Sequence, residues 1–466
     1  GKPQKEKIIS PEIEYEGEKY DADFFLFIWN SPYFFFPKKI NPTFTSQLFY
    51  PSISNDGKKI IGSSSSLAWI EEIGSNKKFF LDFIFDESFI ERGYKLYSVI
   101  YAWFSPAKNE IFYIIYDDVW EGDGDKNKTE LWKTDSNLKN KVGLTEDLSS
   151  VSYNPHVLFG KVNHLYPPVI LSPDGERILF YVGDYLWIMN SDGTGKRNIS
   201  EEMEKEIGKT DPELEVYVKG VQANFTPDGK KIIMSLEVVW REEESGWEDH
   251  EYELWIMDID GSNKKKLLGE SKEFALAKWT PFLLTPNGKK IIFYGATSKT
   301  GKEDDVKVDI WIANIDGSDK KNLTASLHKE FGPTCVWNEF VPMPFINISP
   351  DGEKIVFESA YNDETKVEVI FSLGIANTDG SGARDLLKEA KENYPELNKA
   401  LPHPTGRSLS FFYPCFTPDS KNVIFISYGG PHLWIISEDG KNIVNISKTC
   451  DLKIWSDFMK SFIPGG

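Results

Sequence analysis

The chain has 466 residues, with 72 acidic against 53 basic side chains and a formal net charge of −19. An excess of that size and sign repels phosphate backbones and anionic lipid surfaces, which excludes nucleic acid as a partner and favours basic groups or cations. No apolar run reaches the ~18 residues that a helical membrane span requires, so no transmembrane segment is expected.

Gly1 in place of Met reads as a processed or engineered start. Residues 1–9 are polar and Lys-rich, as a tether would be, and an aromatic cluster follows from Phe24 through Phe36. Packing against the side or end of a domain accounts for that cluster; exposed, it would instead support a structural subunit of a surface assembly. Residues 1–50 are therefore read as a tether and a covering or closure segment, 51–447 as a repeat domain, and 448–466 as a tail.

A repeat begins near Ile53 and returns seven times, and its clearest copy is residues 171–200. Ser172-Pro173-Asp174-Gly175 has the residues of a type I turn, with Pro fixing φ at the second position and Gly where the chain leaves. An apolar β-prone run from Arg177 to Val182, a break at Gly183-Asp184, a second run from Tyr185 to Met189, and a turn at 190–193 come next. A polar segment through Ile199 reads as an outer edge strand, whose charge discourages stray pairing. With the short segment before Ser172, that makes four antiparallel strands. The other turns start at Ser54, Ser105, Thr226, Thr285, Ser349 and Thr417. A third-strand Trp recurs as Trp69, Trp132, Trp187, Trp255, Trp311 and Trp434, with Gly374 in its place in the sixth repeat, and it reads as packing between sheets. The expected fold is all-β, a single seven-bladed β-propeller of four-stranded antiparallel blades.

The S/T-P-D-G turn, the L-W-I-M-[DN] strand, the following D-G turn and the closing N-[IL]-[ST] resemble the TolB-like or PD40 (WD40-like) propeller repeat over about residues 50–447. That resemblance implies an extracytoplasmic location, whether periplasmic, secreted or surface-tethered. Related repeats occur in TolB, in the non-catalytic propellers of prolyl oligopeptidase-type peptidases and in oligogalacturonate lyases. The chain departs from each, lacking TolB's separate α/β domain, a hydrolase G-x-S-x-G elbow and the His-x-His pair of the lyases.

Short stereotyped turns make one face of such a fold, and longer irregular segments at 145–170, 200–224, 324–347 and 388–415 make the other, where binding usually lives. Local helix is expected around 201–209 and 386–399. All six histidines fall on the variable side: His156, His164, His328 and His403 in crossovers, and His250 and His432 before third strands. His164, His328, His403 and His432 are the candidate transition-metal ligands of an alternative reading, a metal-assisted polysaccharide lyase or hydrolase working in a central funnel.

Asp123, Asp125, Asn127 and Glu130 resemble the opening of a Ca²⁺ loop, though the Gly and Glu that would complete it are missing; a solvated acidic loop is the competing reading. Calcium is thus the candidate cofactor. The acidic 241–251 segment holds Glu243, Glu244, Trp247 and His250 and is read as the second-to-third loop of repeat four. With Trp120 and Trp337 it can present an aromatic and acidic surface to a basic peptide or a sugar; the alternative is a charged loop pinned to the scaffold by its own Trp. The leading expectation is a non-enzymatic binding or scaffold protein that recognises a protein or peptide partner. Cys335, Cys415 and Cys450 match no zinc spacing, and a bridge from Cys415 to either of the others stands open beside a buried reduced Cys415. High Lys, Glu and Ile with three Gln hint at a thermophilic source.

Overall fold

The computed structural model describes residues 12–15, 18–21, 48–54, 58–64, 68–72, 78–80, 97–117, 128–136, 138–145, 148, 169–211, 214–242, 245–269, 275–276, 282–297, 307–327, 346–363, 368–393, 414–417, 419–427 and 432–445. The chain divides into two compact units, Gly1–Pro155 with Lys460–Gly466, and His156–Met459. Among the described residues the first unit holds a two-stranded hairpin, Glu12–Tyr15 with Glu18–Asp21, and two four-stranded antiparallel sheets. In the second unit are four further four-stranded sheets and one of five strands. Each sheet is built from contiguous chain. The last one supplies its own fourth strand, Ile443–Asn445, against His432–Ser437.

The third repeat shows how sequence becomes sheet. The Gly175 amide donates to the Ser172 carbonyl at 2.8 Å, and the Ser172 hydroxyl donates to Asp174 at 2.5 Å. Asp174 also accepts from the Glu176 amide, and these bonds, the hydroxyl's first, hold its carboxyl below the usual range. Gly175 takes φ 69°, a region that costs residues with a Cβ. Arg177–Val182 then pairs with Tyr185–Asn190, and the fourth strand is only Arg197–Asn198. So short a strand leaves the Leu186 amide beyond the ladder, and the Ser200 hydroxyl accepts from it at 3.0 Å. Thr145 and Thr324 do the same for Leu131 and Ile310, which is the physical reason for the closing Ser/Thr.

Consecutive sheets within each unit pack face to face. Ile61, Phe104, Ile111, Tyr113 and Trp132 join the two sheets of the first unit. In the second, Ile233, Leu254, Phe282 and Phe293 join the fourth and fifth sheets, and Ile292, Ile310, Ile355 and Phe357 the fifth and sixth. The turns also touch: a Cβ on Gly229, Gly288 or Gly352 would lie 3.6, 3.0 or 3.3 Å from the Cδ of Pro173, Pro227 or Pro286 respectively. Each turn's proline rests on the glycine of the next turn. At the seventh sheet Ser420, φ 60°, replaces that glycine, and its hydroxyl accepts from the Asp351 amide at 3.2 Å. Arg197 reaches the Ile259 carbonyl of the following sheet at 3.0 Å, and Arg384 reaches that of Glu438.

Two helices interrupt the pattern close to where they are expected. Helix α1 (Ile199–Ile207) starts on an Asn198 cap, which accepts from the Glu201 amide at 3.2 Å, and buries Ile199, Met203 and Ile207. Helix α2 (Leu386–Asn393) starts on Asp385, which accepts from the Lys388 amide at 2.8 Å.

The third-strand tryptophans carry a device of their own. Two residues earlier, and hence on the same face of the strand, stand Glu130 in repeat two and Glu253 in repeat four. These accept from the indole N–H of Trp132 at 3.0 Å and of Trp255 at 2.6 Å. In repeat three that place belongs to Tyr185, and the buried Trp187 indole nitrogen has no hydrogen-bond partner. Tyr185→Gln is therefore expected to raise stability by about 1 kcal/mol by giving that donor an acceptor. An unchanged or lowered urea midpoint would count against it.

Cys415 is a buried free thiol, pushed up to about 12 by desolvation. The reduced-core reading of Cys415 therefore holds over a bridge. Cys335 and Cys450 lie outside the described residues.

Candidate binding surface on the fourth sheet

The fourth sheet departs most from the repeat. Its first three strands, Glu215–Phe225, Lys231–Arg241 and Glu248–Asp258, run 11 residues each, against six for the paired strands of the third sheet. At about 3.4 Å per residue the hairpin extends roughly 17 Å further. The 241–251 segment is thus not a loop throughout: Arg241 pairs with Glu248, and Glu248, Asp249, His250 and Glu251 are strand. Beyond the last pair the Glu242 amide donates to the Trp247 carbonyl at 3.0 Å, and the Gly246 amide to the Glu242 carbonyl at 2.9 Å. Likewise 200–224 is not an irregular crossover, because α1 and the strand from Glu215 fill most of it.

Register places Tyr217 and Lys219 on the first strand, Glu237 and Val239 on the second, and His250 and Tyr252 on the third on one face. Glu237 is buried, 4% exposed, in an otherwise apolar run. Its Oε1 lies 2.8 Å from His250 Nδ1, and its Oε2 lies 3.9 Å from Lys219 Nζ. The other ring nitrogen of His250 is 3.9 Å from Glu248, which in turn stands 3.7 Å from Arg241. Tyr252 has its hydroxyl pKa raised by burial and then by the Glu237 carboxylate. Tyr217 donates to Glu215 at 2.9 Å, and that bond raises its own pKa.

Among the described residues four large hydrophobic side chains are exposed: Val142, Tyr185, Tyr217 and Trp247. Trp247, at the hairpin tip, is 50% exposed. Tyr185, on the third sheet, is close enough to Tyr217 and to Glu204 and Glu201 of α1 that burial and then those carboxylates raise its pKa. Tyr185, Tyr217 and these carboxylates share one region.

The remaining expected site residues are scattered. Glu243 and Glu244, Trp120 and Trp337, Asp123, Asp125 and Asn127, and His164, His328 and His403 lie outside the described residues. Glu130 is described and buried, with Oε2 engaged by the Trp132 indole. His432 begins the third strand of the seventh sheet opposite Ser427. His250 is not before a strand but within one. Among the described residues no three His, Cys, Asp or Glu side chains gather as a metal site would need. No described helix is long and apolar enough to cross a membrane. Lys219, Glu237, Tyr217 and Tyr252 were not singled out from sequence; the available signal was a single charge inside each apolar run, at positions that pair across the ladder.

The described residues define an all-β protein of tandem antiparallel sheets, mostly four-stranded. No family model matches the chain, and no curated protein matches it. Among solved structures it is similar to a putative TolB from Agrobacterium tumefaciens, with 14% identity and a TM-score of 0.31 over 59% of this chain and 80% of that one. It is also similar to the β-propeller domain of the Trilobed protease from Pyrococcus furiosus, with 12% identity and a TM-score of 0.37 over 73% and 80% of the two chains. The GH74 enzyme of Niastella koreensis gives 12% identity and a TM-score of 0.44 over 84% of this chain and 52% of that one. These likenesses concern the course of the backbone and carry nothing about chemistry.

Proposed function

We propose that the sheets are the seven blades of one β-propeller working outside the cytoplasm, and that the long fourth-sheet hairpin docks a basic segment of a protein or peptide partner. Support for the blade count comes from seven turn cores and from seven sheets of four or five strands, each built of contiguous chain among the described residues. The docking reading is carried by Trp247: a half-exposed indole at the tip of a segment, 242–251, that has six carboxylates and no Lys or Arg. Tryptophan is among the residues that most often carry the binding energy of an interface. The acids steer a cationic segment inward, and the indole supplies contact area.

The test is fluorescence polarisation with a labelled (Gly-Lys-Leu)₄ peptide and its norleucine-for-lysine counterpart. The lysine peptide should bind, more weakly at high salt because surface charges are then screened. Trp247→Ala should weaken it by about tenfold or more. Equal affinity for Trp247→Ala and the parent would reject the hairpin as the docking surface.

A further inference from the structure

We infer that Glu237 is the seat for one cationic side chain, lysine or arginine, of the docked segment, and that Lys219 is a loose internal occupant the partner displaces. This rests on the docking surface proposed above and assigns its specificity.

Among the described residues four in-strand carboxylates of the second unit are buried to under 5% exposure: Glu237, Glu253, Asp309 and Asp385, the last of which caps α2 by accepting from the Lys388 amide. Glu253 has both oxygens bonded, one by the Trp255 indole and one by Lys266. Asp309 likewise accepts from Thr324 Oγ1 at 2.7 Å on one oxygen and from Asn322 Nδ2 at 2.9 Å on the other. Glu237 differs. His250 satisfies its Oε1, but its Oε2 takes no hydrogen bond. Lys219 Nζ is 3.9 Å from that oxygen, within ion-pairing range but too far for a hydrogen bond. The Tyr252 hydroxyl, directly across the ladder, is buried beside Glu237, close enough that the carboxylate adds to burial in raising the phenol's pKa.

One buried carboxylate oxygen thus has a cation nearby but no hydrogen bond from it. The group that best completes it is a cationic N–H donor, an ammonium or a guanidinium, whose charge also offsets that of the buried anion. An anion is refused by Glu237 and, at the rim, by Glu248. Lys219 is itself such a cation but is poorly placed, held by its strand opposite Glu237 and one-third exposed. Oε2 itself is buried, so a partner side chain reaches it as Lys219 moves aside, and the acidic 242–251 segment concentrates cations at that end of the hairpin.

The two peptides, applied to Glu237→Gln and Lys219→Met, separate this from simple charge attraction. Glu237→Gln should weaken the lysine peptide by about 30-fold, the scale for removing one partner of a buried charge pair, and leave the norleucine peptide unchanged. Lys219→Met should tighten the lysine peptide by up to about fivefold, the worth of a partly exposed ion pair that no longer competes. A Glu237→Gln affinity equal to the parent's, or a Lys219→Met affinity no tighter than the parent's, overturns the inference. If Glu237→Gln does not fold, Lys219→Met decides alone. Loss of binding in Trp247→Ala with both seat variants unaffected would retain the docking surface and remove the seat.

Discussion

Restoring the repeat's tryptophan in the sixth sheet, Gly374→Trp, should destabilise the protein by about 3 kcal/mol, against the rule that consensus residues stabilise repeats. Phe357 stands directly opposite Gly374, and a Cβ on Gly374 would overlap the Phe357 ring. In the third sheet a Phe and a Trp coexist in the same two places, with the ring centroids of Phe180 and Trp187 6.3 Å apart. In the sixth, Phe357 lies over the glycine and is itself buried among Ile292, Ile310 and Ile355. Inserting an indole forces that cluster to repack, and close-packed interiors yield little. In the first sheet the register sets Gly62 opposite Trp69. Combining Phe357→Gly with Gly374→Trp should therefore cost at least 2 kcal/mol less than the sum of the two single changes in a urea double-mutant cycle. Additive costs would mean that the ring is not the obstacle.

Gly317→Ala should cost about 3 kcal/mol or more, and Gly183→Ala only about 1 kcal/mol, although both glycines have positive φ, 83° and 61°. The left-handed strain of a Cβ is common to both. What differs is the surroundings: a Cβ on Gly183 meets nothing within 4 Å, whereas one on Gly317 would lie 2.5 Å from the Leu267 carbonyl oxygen and 3.2 Å from its carbon. Those are backbone atoms of the preceding sheet's fourth strand, with no rotamer to change, so two sheets must separate. Equal shifts in the two urea midpoints would show that local strain alone is at work.

The architecture was legible because each repeat spells its own turn. Ser172 and Asp174 satisfy the backbone locally, so the same four letters mean the same structure wherever they fall. The two helices were legible for a similar reason, an Asn or Asp followed by helix formers. The length of the fourth-sheet hairpin was not. Glu248-Asp249-His250-Glu251 has the composition of a loop, and it is strand because it pairs with Arg241, Trp240, Val239 and Val238, of which the two valines are buried. The partners of Glu237 were hidden for the same cause: Lys219 and His250 are 18 and 13 residues away in sequence, and only the register makes them neighbours.

The stacking of each turn's proline on the following turn's glycine has a direction. Pro173 rests on Gly229, Pro227 on Gly288 and Pro286 on Gly352, never the reverse. A row of contacts with that polarity has two unlike ends: a change of proline is felt at the following turn, and a change of glycine at the preceding one. Any repeat that keeps proline second and glycine fourth offers both halves of the joint, so whole repeats are interchangeable at this edge while their opposite ends diverge. The long hairpin of the fourth sheet could grow in this way without disturbing the row of turns at its other end.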